Sequence, residues 1–175
     1  NNEQVIYQDE RFCSPAETFR YLFKCPPGVY EVTLHEAETF MNGPNQRRFD
    51  VYLQGEKKFA DIDIFAAAGG ANRAVTFTNQ TAVSNGLLEV LFKPVYDYAR
   101  SSGIHVRRIG DIFSDSDGIP DWWRLGMFGH ATGLAADLSR AGDDPDGDGS
   151  TNLQEYQNGT DPFTPASTIQ TARVE

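Results

Sequence analysis

The chain has 175 residues, of which 39% are hydrophobic and 12% aromatic, enough for a buried core and too apolar for global disorder. Its formal net charge of -10 excludes the basic face that nucleic acid demands. No apolar run approaches the roughly 20 residues of a membrane span, and nothing at Asn1 reads as a signal peptide, so a secreted form is expected to have lost its leader already.

The charge is unevenly placed. Residues 1–110 carry 13 acids and 12 bases, whereas residues 111–161 carry 11 acids and 2 bases. That contrast predicts a near-neutral body over 1–110, a cation-binding segment over 111–163, and a tail over 164–175.

Near the start lie the only two cysteines, Cys13 and Cys25. Their surroundings hold neither a metal pair nor a redox C-x-x-C. They are either two reduced core residues or one disulfide between neighbouring strands. The extracellular setting suggested by the calcium loop below favours the disulfide.

From Thr18 to Ile109 the pattern is strand after strand. Phe19, Tyr21 and Phe23 alternate with polar neighbours, as do Tyr30, Val32 and Leu34, and Phe49, Val51 and Leu53. Lys57 to Phe65 alternates less cleanly, and Ala66 to Gly70 reads as a short helical turn or a loop of close approach. Val75 to Gln80, Leu87 to Lys93 and Ile104 to Ile109 complete the set, with Asn85-Gly86 as a turn between two of them. Many short strands with no long helical period predict an antiparallel sandwich or jelly roll.

Four ordered blocks make this more specific. Val5 to Phe12 is similar to the "YQTER" opening of malectin-type carbohydrate-binding domains, and Gly28 to Glu38 resembles their "G-Y-x-V-x-L-x-F-A-E". Phe49 to Gly55 and Asp61 to Phe65 are similar to the "FDV-x-x-x-G" and "D-x-D-I-F" blocks. The resemblance implies a mainly β fold, an antiparallel jelly-roll β-sandwich, of which the first strands are expected to be absent from this chain: either the chain was cut, or the missing strand comes from elsewhere. A sheet left open in this way exposes unpaired backbone groups that recruit a strand from another chain. The alternating run Thr168 to Val174 would supply one.

The same resemblance implies a sugar site. The family's aromatic after "TER" falls on Phe12, its aromatic pair on Phe40 and Met41, and its aspartate on Asp97, which Tyr96 and Tyr98 flank. Two tyrosine hydroxyls of the family are replaced by Phe12 and Phe40, an aromatic is replaced by Met41, and Glu36 stands for the usual Phe. Lost hydrogen bonds of this kind cost about 1–2 kcal/mol each and weaken the family's glucose preference. Glu36 and Glu38 share one face of a strand, as a glycosidase pair would, but read as a charged face. No Ser/His/Asp set, phosphate loop or zinc spacing involves His35, His105 or His130, so no enzyme is expected.

Beyond Asp111 the composition changes. Asp144, Asp146, Asp148, Ser150, Asn152 and Glu155 fall at positions one, three, five, seven, nine and twelve of D-x-D-x-D-G-x5-E, a calcium loop. Calcium takes six to eight oxygens; Gly149 permits the bend, and Glu155 closes the shell with two. Earlier, Asp115 to Trp123 resembles the first half of the loops in bacterial thrombospondin-type-3-like or dockerin-like repeats. Aligned on Gly118, it offers Asp115, Asp117, the Ile119 carbonyl and Asp121 to a second calcium, but Phe113 and Arg124 occupy positions one and twelve. A helix would follow, with Trp122, Leu125 and Phe128 on one face, the tryptophans packing against a neighbouring element. The "GTDP" ending after Asn158 also resembles large bacterial surface proteins.

Together these readings predict a secreted or cell-surface protein, expected to be bacterial, that binds a glycan without catalysis and is stabilised by Ca2+. The rival is a structural subunit of a calcium-dependent surface layer, filament or adhesin, self-associating through an open sheet edge.

Overall fold

A computed structural model describes residues 11–15 and 17–165; the expectations for residues 5–10 and for a strand at 168–174 fall outside them. The chain divides into two compact units, Asn1–Gly110 and Asp111–Glu175.

The first unit is the expected mainly β, antiparallel sandwich. Its strands are β1 (Arg11–Phe12), β2 (Phe19–Lys24), β3 (Gly28–Ala37), β4 (Arg48–Leu53), β5 (Glu56–Ile62), β6 (Ala74–Val83), β7 (Leu87–Tyr96), β8 (Arg100–Ser101) and β9 (Gly103–Gly110). One sheet runs β2-β7-β4-β5, another β6-β3-β9, and β1 pairs with β8. Alternation puts Tyr30, Val32 and Leu34 of β3 inside, with Phe49, Val51 and Leu53 of β4 and Val90 and Phe92 of β7. Each such side chain contributes about 1.5–3 kcal/mol on burial. Phe19 stacks on Phe92 at 4.7 Å, which locks β2 to β7. Between β4 and β5, Gln54 and Gly55 both take positive φ, 53° and 79°, the hand that a two-residue hairpin requires.

Two expectations are corrected here. The fifth strand stops at Ile62, and a helix, α1 (Ile64–Ala68), follows. The Asp63 carboxylate caps it, accepting the Ala66 N–H at 3.0 Å. The cysteines are free thiols, not a disulfide. Cys13 donates its N–H to the Ala99 carbonyl, whereas Cys25 donates to Gly86. The extended β2 runs between them, and six residues at about 3.3 Å each span far more than the roughly 7 Å a disulfide tolerates between Cα atoms.

The second unit is two similar halves. Helix α2 (Asp121–Phe128) follows the first loop and α3 (Asn152–Asn158) the second, with a 3-10 turn at Ala135–Asp137 between them. Asp121 donates its N–H to the Ile112 carbonyl at 2.9 Å, and Asn152 donates to Asp143 at 2.9 Å in the equivalent place. Gly118 and Gly149 take φ of 87° and 94°, left-handed values that the sixth loop position demands and a Cβ would strain. The buried face of α2 differs from the expected one: Trp123 is 4% exposed and Trp122 38%. Both rings meet Tyr156 of α3 edge-on, at 6.1 and 6.2 Å, so the two helices pack on each other through aromatics.

Candidate functional site

Even-numbered residues of β3 point inward, and the series does not stop at Leu34. Glu36 and Glu38 continue it and are fully buried, not the solvated charged face expected from the sequence. Burial pushes the Glu36 carboxyl up to about 8, although the Ser102 N–H and Arg100 pull it down. The Glu38 carboxylate is compensated on both sides. Oε1 accepts the N–H groups of Phe40 and Met41 at 2.9 Å each, and Arg47 Nη1 donates to Oε2 at 2.7 Å. Arg100, also buried, lies 3.5 Å from Oε1. Parity with Tyr30 and Leu34 was the signal for this pair; its cationic partners lie too far along the chain to be read locally.

The ion pair of Glu38 with Arg47 organises an open cleft of about 410 Å³, lined by Pro15, Met41, Asn45, Gln46, Tyr96 and Asp97. Glu38 holds the backbone under Met41. Arg47 reaches from Glu38 toward the other wall, its Nε 3.7 Å from Asp97 Oδ2 and its guanidinium 3.9 Å from the Tyr98 ring centre. Asp97 Oδ2 and Arg47 Nη2 are both buried without a hydrogen-bond partner. Asp97 therefore lines the cleft with one oxygen turned inward toward a cation. Asp97 and Asn45 hold left-handed φ of 62° and 61°, a conformation that aspartate and asparagine tolerate better than most residues. Asn45 is pinned by donating its N–H to Asp63, the residue that caps α1.

Of the five residues implied for a sugar site, Met41, Tyr96 and Asp97 line one cleft. Phe12 and Phe40 are 60% and 77% exposed, so neither is core. Phe12 packs against Tyr98 at 5.4 Å, beside the cleft; Phe40 projects into solvent next to Met41. The Tyr98 ring is covered by Arg47 and Phe12.

In the second unit, one carboxylate oxygen from each of Asp144, Asp146 and Asp148 falls within 4.8 Å of the others. Asp144 also shapes the loop, accepting the N–H groups of Gly147 and Gly149 at 2.8 and 2.9 Å. Glu155 is fully buried, and its oxygens make no hydrogen bond of good geometry, although the Thr160 side chain lies near enough to lower its carboxyl pKa in part. Burial and then the charge of Asp146 raise its pKa, and burial also raises Asp146. Asn152 Nδ2 donates to the carbonyls of Leu138 and Arg140 at 2.8 Å each, which uses both amide hydrogens. Its Oδ1 is left buried and unpartnered, as is Asp146 Oδ2. These donors are all hard oxygens, so the residues present fit calcium.

The first loop has a different arrangement. Arg124 is fully buried and donates Nη1 to Asp115 Oδ1 at 3.0 Å and Nη2 to Asp117 Oδ2 at 2.5 Å. It also donates to the carbonyls of Ala131 and Ser139. Burial raises the Asp115 carboxyl, but the Gly133 N–H and Arg124 bring it below the usual range. Asp121 accepts both the N–H and the hydroxyl of Ser114, at 2.7 and 2.6 Å, and the Ile119 side chain is buried. Of the four residues offered to a second calcium, two are already bound to an internal cation.

The family model described as the malectin domain matches residues 1–109. The chain belongs to the malectin family. A probable leucine-rich repeat receptor-like serine/threonine-protein kinase of Arabidopsis thaliana is 38% identical over 91 residues, covering 49% of this chain and 9% of its own length. A probable receptor-like protein kinase of the same plant is 31% identical over 78 residues, 41% of this chain and 9% of its own. Among solved structures, the ANX2 ectodomain from Arabidopsis thaliana superposes with a TM-score of 0.56 at 16% identity, over 61% of this chain and 34% of that one. The malectin chain described here thus spans about a tenth of the length of those curated relatives. Both are plant proteins, which overturns the bacterial source expected from the loop motifs.

Proposed function

We propose that this chain is a non-catalytic, extracellular glycan-binding module. The observation that carries this reading is the cleft at Met41, Tyr96 and Asp97, an acid between apolar and aromatic side chains on a rigid ionic floor. Aromatic faces stack against the C–H surfaces of sugars, and a carboxylate accepts from their hydroxyls. Ligands gain most when a site is set before they arrive, and the Glu38–Arg47 pair sets both walls. The ectodomain fold likeness supports the extracellular placement. Calorimetric titration with glucose disaccharides and a mixed glycan set, in calcium and in chelator, tests it. Saturable binding that survives chelation and is lost in Asp97→Ala supports the module; no heat with any glycan overturns it.

Calcium belongs to the same proposal. Asp144, Asp146, Asp148, Asn152 and Glu155 would hold Ca2+, which would neutralise their mutual repulsion and brace the second unit. The buried oxygens of Glu155, which make no hydrogen bond of good geometry, support this, because a carboxylate is costly to bury without a cation or donor. A second reading, assembly through a sheet edge, draws on β6, a ten-residue strand paired only with β3 among the described residues. Light scattering across a calcium titration separates the two, since a building block grows with calcium and a lectin stays one size.

A further inference from the structure

We propose that the Arg124 guanidinium is a permanent stand-in for calcium in the first loop, so that the second unit takes one ion and not two. The two loops share the middle of their frame. Gly118 matches Gly149, Asp115 and Asp117 match Asp146 and Asp148, and Asp121 and Asn152 make the same backbone hydrogen bond. They part at position one, where Phe113 stands against Asp144, and at position twelve, where Arg124 stands against Glu155, both of the latter fully buried.

A calcium ion in such a loop gathers carboxylate and carbonyl oxygens around a positive centre. Arg124 does the same with hydrogen bonds. Its acceptors are two carboxylates, Asp115 and Asp117, and two carbonyls, Ala131 and Ser139. The neighbouring oxygens are engaged within the protein as well: Asp115 Oδ2 also accepts the Gly133 N–H and both Asp121 oxygens serve Ser114. Guanidinium does not lose its proton in proteins, so this cation cannot be chelated or titrated away. A surface ion pair would be the simpler description, but no part of the Arg124 side chain reaches solvent.

The two cations would also brace one segment. Arg124 Nε takes the Ser139 carbonyl, and Asn152 takes Leu138 and Arg140 on either side of it. The loop closed by arginine thereby helps orient the Asn152 amide that faces the other loop.

The proposal rests on the calcium reading of the second loop only for the ion count. Isothermal titration of the full chain with Ca2+ counts the ions, and Asp117→Asn and Glu155→Gln assign them. One ion in the wild type, kept within about twofold affinity in Asp117→Asn and lost in Glu155→Gln, is the expected result. An ion that disappears in Asp117→Asn, or one that persists in Glu155→Gln, overturns it. Should the wild type take up no calcium, the second-loop reading fails and Arg124 is judged alone. Arg124→Lys in chelator, which keeps the charge and loses the fork, is then expected to melt at least about 5 °C lower. An unchanged melting temperature would refute the stand-in.

Discussion

Arg47 donates to Glu38 at 2.7 Å with both side chains almost wholly out of solvent, and this pair ties the backbone of Phe40 and Met41 to the wall that carries Asp97. Removing Arg47 leaves the buried Glu38 carboxylate under-compensated, with only the Phe40 and Met41 N–H groups and the more distant Arg100 to face it. Arg47→Ala is therefore expected to lower stability by about 3–5 kcal/mol, read from urea unfolding of the full chain. Adding Glu38→Gln in the Arg47→Ala background should recover part of that loss, because the stranded charge is removed. A loss below about 1 kcal/mol for Arg47→Ala would mean that the pair is not the floor described here.

Glu36 makes stability depend on pH. Burial pushes its carboxyl up to about 8, whereas in an unfolded chain it titrates near 4.3. Between those values the fold keeps a proton that the unfolded chain releases. The contribution is fully present below the unfolded value and is lost as pH rises toward the folded one, by at most about 1.4 kcal/mol per pH unit. Glu36→Gln should flatten this slope, matching the wild type near pH 4 and exceeding it at pH 8 in denaturant titrations.

Calcium removal should act on one unit. Chelator is expected to lower the melting transition of the second unit, followed through Trp122 and Trp123 fluorescence, and to leave the far-ultraviolet β signal of the sandwich in place. Asp148→Asn removes one carboxylate from the cluster at Asp144, Asp146 and Asp148 and should weaken calcium at least about tenfold. Equal melting with and without chelator would count against a bound ion.

The free cysteines give a chemical check. Cys13 and Cys25 hydrogen-bond to different ends of the sandwich, so alkylation in denaturant without reductant should add two labels per chain by mass spectrometry. No label would establish the bridge that the sequence favoured.

Local pattern carried much of this molecule. Alternation along Tyr30, Val32 and Leu34, or Phe49, Val51 and Leu53, identifies strands because a period of two reflects the pleat itself. The Asp144, Asp146 and Asp148 spacing is likewise local, since one turn of backbone brings their oxygens together. The helix after Asp121 was also readable, but not its buried face, because Trp123 turns inward only when Tyr156 of α3 is there to meet it.

By itself, then, the sequence determined the β class, the strand positions, the change of character at Asp111 and the acidic loop, all features in which neighbours along the chain interact. Tertiary structure alone decided that Glu38 is buried against Arg47 and Arg100, that Cys13 and Cys25 stand apart, and that Arg124 is buried against Asp115 and Asp117. Those outcomes depend on charges and thiols brought together, or kept apart, by strand pairing and loop closure, and no periodicity in the residues themselves records such distances.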